Sequence, residues 1–350
     1  VNQLKIAIAS VQVPFIRGGA EYHAENLKRE LIKRGYEADI ITMPFKWYPA
    51  TALLDHIMAA RLLDLTEVNG VAIDRVIALK FPIYYVNHPN KVLWILHQHR
   101  QAYELWGTEY GDLEHMEYGH QVRQLIINAD NKYLRESRSI YANSKTVSER
   151  LRKYNNISAE PLYHPPGGYE RLSCNEFGDY IFFPSRLHEI KRQHLLIEAM
   201  KHSKTDVKLL LAGTGEQEYV SQLKKMIDKY NLRSRVKWLG VISDEEKIKL
   251  YSNCCMVYNG PYQEDYGYVT LEAFFSGKPV LTHDDSGGPL EFVTNDETGY
   301  VVRPDPEALA EKIDYLYENK SKAGEMGANG RQLMKKLNVN WDYVIERLLK

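Results

Sequence analysis

Short apolar runs alternate with longer stretches in which apolar residues recur every three or four positions, almost from one end of the chain to the other. Runs of four to eight apolar residues between turn-forming positions suit strands buried on both faces, and the longer periodic stretches suit amphipathic helices. This pattern predicts strands over 4–10, 38–42, 75–79, 92–96 and 140–142, with helices over 21–34, 51–65, 118–135 and 146–154. In the first helix Tyr22, Leu27, Leu31 and Ile32 are assigned to one inward face, with Lys28, Arg29, Lys33 and Arg34 in water and Gly35 as the stop. The segment from Tyr163 to Tyr169 holds two prolines and two glycines, breaks the alternation and reads as a linker. Strands over 180–183, 207–211, 236–239, 256–259 and 279–282 follow, separated by helices over 193–202, 219–230, 245–252 and 269–276, and three helices close the chain. The expectation is an α/β protein of two doubly wound domains, 1–165 and 166–338, whose strand ends face each other across a ligand cleft.

Composition narrows the function classes. A chain of 350 residues is too long for one ordinary core, which agrees with two domains. Forty-five Lys and Arg balance 46 Asp and Glu, so no global basic field exists to hold nucleic acid. Three cysteines, with Cys254 and Cys255 adjacent in an apolar run, suit a reducing compartment and small buried side chains rather than a disulfide framework. The start lacks the basic flank and cleavage site of a secretory leader, and no run approaches the ~20 apolar residues of a membrane span. The chain is therefore expected to be cytoplasmic and soluble, with at most peripheral membrane contact.

Candidate chemistry concentrates in the second half. Glu264 and Glu272 lie eight positions apart and bracket a loop and a helix start at Tyr266-Gly267-Tyr268-Val269. Open N–H groups at a helix entrance, together with the positive end of the helix, suit an anion such as a phosphate. Arg186 and Lys191 follow a strand and are placed to neutralise a diphosphate, and Gly213 and Gly215 form a glycine turn after the next strand. Each feature has a plainer reading: an acidic first turn that serves its own helix, a solvated pair of cations, an ordinary turn. In the first half Gly18-Gly19 follows strand one, where glycine lets backbone approach a ligand, and His97 and His99 end an apolar strand, on one side if the extended geometry persists. No third ligand with convincing spacing supports a metal at that His-x-His.

Taken in order, these pieces resemble the retaining glycosyltransferases of family GT4, also called group 1, with the GT-B fold of two Rossmann-like domains. The resemblance spans nearly the whole chain and includes Tyr141-Ala-Asn-Ser144-Lys, Gly277-Lys-Pro279-Val, Gly287-Gly288 with Glu291, and Thr298-Gly299-Tyr-Val-Val. It implies that Gly18 and Gly19 approach the donor, that Arg186 and Lys191 neutralise its diphosphate, and that Glu272 binds the ribose. Glu264 would contact the transferred sugar, backbone around Tyr266–Val269 would cap the β-phosphate, and His97 would lie beside the reacting centre. The base, of UDP or GDP, would be read by backbone around Gly240, Val241 and Ser243. The last helix, within 339–350, would cross back onto the first domain. Asp265 and Ser185 stand where glycine is common in the family.

The implied reaction is hexosyl transfer from a nucleotide sugar to a glycan or lipid-linked acceptor, with retention and with no protein nucleophile. The sequence contains no Asp-x-Asp, so the two cations are expected to replace a divalent metal and no cofactor is called for. Acceptor contacts fall to loops carrying Trp47, Tyr48, Tyr103, Trp106 and Tyr110, where sugar stacking and ordinary packing compete. The basic positions 28, 29, 33 and 34 offer a surface for a membrane or simply a solvated helix face. Competing readings are a non-catalytic nucleotide-sugar-binding protein, an NAD-dependent oxidoreductase, whose Gly-x-Gly-x-x-Gly is missing from the first turn, and a glycoside hydrolase, which has no use for a phosphate site.

Overall fold

Near-continuous apolar runs bury both faces of their strands, and two parallel sheets result. The computed structural model of the chain describes residues 3–350. It separates into one unit of residues up to Gly167 plus Asn340–Lys350, and a second unit, Gly168–Val339. The first unit runs β1 (Lys5–Gln12), α1 (Gly19–Lys33), β2 (Glu37–Pro44), α2 (Ala52–Leu62), β3 (Glu67–Val68), β4 (Val71–Ala72), β5 (Arg75–Lys80), β6 (Lys91–His97), α3 (Gly119–Tyr133), β7 (Ser139–Ala142), α4 (Lys145–Asn155) and β8 (Glu160–Pro161). Its sheet has the order β2-β1-β5-β6-β7-β8, parallel throughout, while β3 and β4 form a separate antiparallel hairpin.

The second unit runs β9 (Tyr180–Pro184), α5 (Gln193–His202), β10 (Lys208–Ala212), α6 (Gln217–Lys229), β11 (Val236–Gly240), α7 (Asp244–Asn253), β12 (Met256–Tyr258), α8 (Tyr268–Phe275), β13 (Val280–His283), β14 (Gly299–Val302), α9 (Pro306–Glu318) and α10 (Lys320–Lys336). The order β11-β10-β9-β12-β13-β14, again all parallel, reverses direction between β9 and β12. Ligands of doubly wound sheets bind outside the carboxyl ends of the strands at such a reversal. Here those ends deliver Ser185 and Arg186 from β9 and Asn259 from β12.

The last helix, α11 (Trp341–Leu349), packs on the sheet of the first unit. Tyr141 donates its hydroxyl proton to the Arg347 carbonyl at 3.0 Å, and Arg75 donates to the Leu348 carbonyl at 2.8 Å. Trp341 lies against Trp94 and His164, and His164 in turn meets His23 of α1, nitrogen to nitrogen at 2.9 Å. These contacts correct the expected face of α1. Leu27 and Leu31 are buried as expected, but Tyr22 and Ile32 are half exposed, and His23, Asn26 and Glu30 point inward instead. Tyr22 lies five residues before Leu27, about 140° round the helix, so the inward stripe passes through residue 23. Two of these polar residues have partners there: His23 meets His164, and Glu30 binds Arg34 at 2.6 Å.

Burial holds His23 neutral, its pKa pushed down to about 3, and carries His164 well below its usual value. Both rings gain a proton in the unfolded chain near pH 6.5 but not in the folded one. Stability is therefore complete above that value and falls as pH drops below it, by roughly 1.4 kcal/mol per pH unit for each ring. The urea midpoint for the first unit is expected to be clearly lower at pH 5 than at pH 7.5. A midpoint that does not change between the two would contradict the buried pair.

Candidate functional site

In the second unit three loops meet at the carboxyl edge of the sheet, after β9, β12 and β13. Backbone hydrogen bonds stitch them together: Tyr262 N–H to Ile190 O at 2.8 Å, Glu264 N–H to Ser286 O at 2.8 Å, and Gly288 N–H to Glu264 O at 2.8 Å. The stitching sets Lys191 against Glu264 in a partly buried ion pair. One residue on, Arg192 adopts a left-handed backbone (φ 59°) and grips both oxygens of Asp285 at 2.6 and 2.7 Å. That fork fixes the turn from which Lys191 projects, because a planar guanidinium bound at two points cannot swivel. Arg186 is exposed, and no ion pair holds its guanidinium among the described residues.

Gly267 precedes α8 in a left-handed conformation (φ 89°), where a Cβ would stand 3.0 Å from Pro289. The helix then begins at Tyr268, so the first-turn N–H groups of Tyr268 and Val269 have no carbonyl within their own helix to bond. Tyr266 sends its ring into the core, edge-on to Phe292, so that ring does not line the site. Glu272, one turn into α8, is nearly buried and receives Lys247 Nζ at 2.9 Å on one oxygen and the Tyr251 hydroxyl at 2.7 Å on the other. Burial and the neighbouring Glu272 raise the Tyr251 pKa far up, so its phenol stays a donor. An ionised carboxylate has about four lone-pair positions, which leaves Glu272 able to accept two more hydroxyls.

Gly213 and Gly215 serve backbone against backbone. A Cβ on Gly213 (φ 131°) would lie 2.1 Å from the Ser185 carbonyl, and one on Gly215 would lie 2.0 Å from that of Leu187. Leu187 N–H bonds Thr214 O at 2.8 Å, so this turn braces the loop that carries Arg186. Gly213 N–H also bonds Gly240 O at 2.7 Å, next to an exposed Val241.

In the first unit Gly18 caps α1, and its N–H is taken by Glu21 at 2.7 Å, while Gly19 is exposed. A cavity of about 380 Å³ lies alongside, with Gln12, Arg17, Glu21, Lys28 and Asp39 among its walls. His97 is the last residue of β6, at a break in register with β5, and is half buried. The strand ends there, so His99 does not continue its face. His99 instead packs buried against Phe81, and burial, then His97 and Lys80, push its pKa down to about 3. No group of three or more His, Cys, Asp or Glu among the described residues could hold a metal ion.

Of the candidate aromatics, Tyr103 is a core residue bonded to Asp130, Trp106 packs under Arg123 and His120, and Tyr48 is the most open. The basic positions of α1 are largely neutralised: Lys28 by Asp39 at 2.8 Å, Arg34 by Glu30 and Asp342. No described helix is long and apolar enough to cross a membrane. Lys247, Tyr251, Arg192 and Asp285 carry no sequence motif that marks them for the site. The spacing of Lys247 and Tyr251, one turn apart on α7, marks a shared face but not what that face meets.

Residues 172–333 match the family described as glycosyl transferases group 1. An alpha-1,3/1,6-mannosyltransferase of Dictyostelium discoideum is 36% identical over 135 residues, and its Homo sapiens counterpart 35% over 135. Each match takes in 37% of this chain and 32% of the relative, so the chain spans about a third of the length of these relatives. Among solved structures, sucrose-phosphate synthase from Thermosynechococcus elongatus superposes with a TM-score of 0.79 at 17% identity, covering 99% of this chain and 97% of that one. Anabaena HepE in complex with UDP gives 0.72 at 18% identity, covering 99% of each. These likenesses show the fold, which is GT-B.

Proposed function

From the match of residues 172–333 to the family described as glycosyl transferases group 1, we propose that the chain moves a hexosyl unit from a nucleoside-diphosphate sugar to an acceptor hydroxyl with retention of configuration. The observation that carries this reading is the convergence of Arg186, Lys191, the α8 entrance and Glu272 on one carboxyl edge of the second sheet. A nucleoside diphosphate matches that arrangement in charge and polarity. Glu272 accepts from the ribose hydroxyls. Lys191, Arg186 and the α8 N–H groups take the diphosphate, and the Gly240–Val241 backbone reads the base.

As the bond from the anomeric carbon to the phosphate oxygen breaks, charge grows on the diphosphate. The two cations and the helix end oppose it where it develops, which lowers the barrier rather than only tightening binding. The acceptor oxygen bonds the anomeric carbon from the same side, and its proton passes to a departing phosphate oxygen, so the atoms balance without a protein nucleophile. Glu264 holds hydroxyls of the transferred sugar, and His97 steadies the reacting centre. With two cations and the helix end at the diphosphate, no divalent ion is required. The similarity to mannosyltransferases and to a UDP-binding neighbour makes UDP- and GDP-hexoses the donors to try first, with a glycan or lipid-linked sugar as acceptor.

Calorimetric titration with UDP, GDP, ADP, their hexose conjugates and NAD, with and without EDTA, tests the reading. One nucleoside diphosphate is expected to bind with EDTA present, and Glu272→Ala to weaken it by about tenfold to a hundredfold, the size of one or two charged hydrogen bonds. Glu264→Ala and His97→Ala are expected to leave that binding and to lose turnover. Binding of NAD alone would replace this function with a redox one.

A further inference from the structure

Asp130 in α3 is fully buried, and four uncharged groups donate to it. Tyr84 and Tyr85 give their hydroxyl protons to Oδ1 at 2.9 and 2.6 Å, while Tyr103 and the Gln98 amide reach Oδ2 at 2.6 and 2.7 Å. Four donors fill the lone-pair positions of an ionised carboxylate; a protonated acid would have to expel one of them. Burial raises the pKa of this carboxyl, and the four hydrogen bonds oppose that. Asn155 extends the network by accepting from Gln98 at 2.8 Å and donating to Tyr103 at 3.2 Å.

A buried charge is costly to desolvate, and replacing buried ionic groups by apolar residues of similar volume is often neutral or stabilising. A network of this kind calls for a reason beyond packing, and Gln98 points to one. Its amide is turned so that Nε2 serves both Asp130 and Asn155, while its own Oε1, buried, has no partner. That arrangement pins a residue between His97 and His99, at the point where β6 ends. The Gln98 carbonyl in turn meets His97 Nδ1 at 2.6 Å. A carbonyl can only accept, so Nδ1 carries a proton, and whenever the ring is neutral Nε2 is its lone-pair nitrogen.

We propose that Asp130 and Gln98 are positioning residues that fix the tautomer and orientation of His97, the buried carboxylate acting through the Gln98 amide to hold the Gln98 carbonyl on the ring. The proposal rests on the reading of His97 as the residue beside the reacting centre. It makes the tyrosine-lined carboxylate a device for the active site rather than part of the packing.

Two-bond 1H–15N spectra of histidine-labelled full-length protein test it, with the His97 ring identified by its loss in His97→Ala. The native ring is expected as the Nδ1–H form, and finding it as Nε2–H would overturn the proposal without any variant. Asp130→Asn and Gln98→Met are expected to give a mixture of tautomers and to lower kcat about tenfold with donor KM unchanged. Tyr84→Phe, which removes a donor on the oxygen away from Gln98, is expected to leave the ring form as it was. If Gln98→Met folds and keeps a pure Nδ1–H ring, the proposal fails. Should the tautomer shift while His97→Ala retains full turnover, the network stands and the placement of His97 at the reacting centre falls.

Discussion

Lys191→Ala is expected to reduce kcat by about 10²–10³, the loss typical of removing one preorganised charge from the place where a leaving group gains its own. Two effects combine. The diphosphate loses a cation that the Arg192–Asp285 fork holds in place, and Glu264 loses the partner that neutralises it. An unpaired, partly buried carboxylate then faces an incoming dianion. The second effect makes the pair non-additive: Glu264→Gln is expected to harm the Lys191→Ala enzyme much less than the native one. Lys191→Arg keeps the charge but not the geometry and is expected to fall between. Initial rates of nucleoside diphosphate release in the four single and double variants measure this directly. Losses smaller than threefold in Lys191→Ala would remove the residue from the mechanism.

The elements that position this pair were legible in sequence because each is periodic over a long enough window. α5 runs over 193–202, as its apolar spacing predicts, and the strand ends that deliver Arg186 and Asn259 lie within a residue or two of their expected places. Short elements without a pattern of their own were not legible. β8 has two residues, β3 and β4 two each around an Asn-Gly turn, and β14 lies inside a glycine-led motif that reads equally well as a loop. The network on Asp130 was invisible for a different reason. Its donors lie 27 to 46 residues away in the chain, and a lone Asp between helical alanine and asparagine reads as a solvated position. Only a fold brings three tyrosines to one carboxylate. Lys247 and Glu272 likewise lie 25 residues apart, and no spacing rule links them.

Gly213→Ala is expected to be a severely damaging single-methyl change in the second unit. At φ 131° an alanine is strained wherever it is put, and its Cβ would lie 2.1 Å from the Ser185 carbonyl oxygen and 2.9 Å from its carbon. Both neighbours are backbone, so no side chain can swing aside. The Ser185 N–H is bonded to Ala212 O at 2.9 Å and Leu187 N–H to Thr214 O at 2.8 Å, so the only relief is to part the two loops and break these bonds. Overpacking and strain of this kind cost about 3 kcal/mol or more in sum, a midpoint drop of several degrees for a domain of this size. What the loop would lose with that movement is the placement of Arg186, which lies between the two broken bonds. Thermal unfolding should therefore fall together with affinity for the nucleoside diphosphate. Gly240→Ala provides the contrast. Its backbone also has a positive φ (71°), but nothing lies within 4 Å of a Cβ, so some strain is present without collision. If the two variants lower the unfolding midpoint equally, backbone strain alone accounts for the loss and the brace between the 185–187 and 213–215 loops does not.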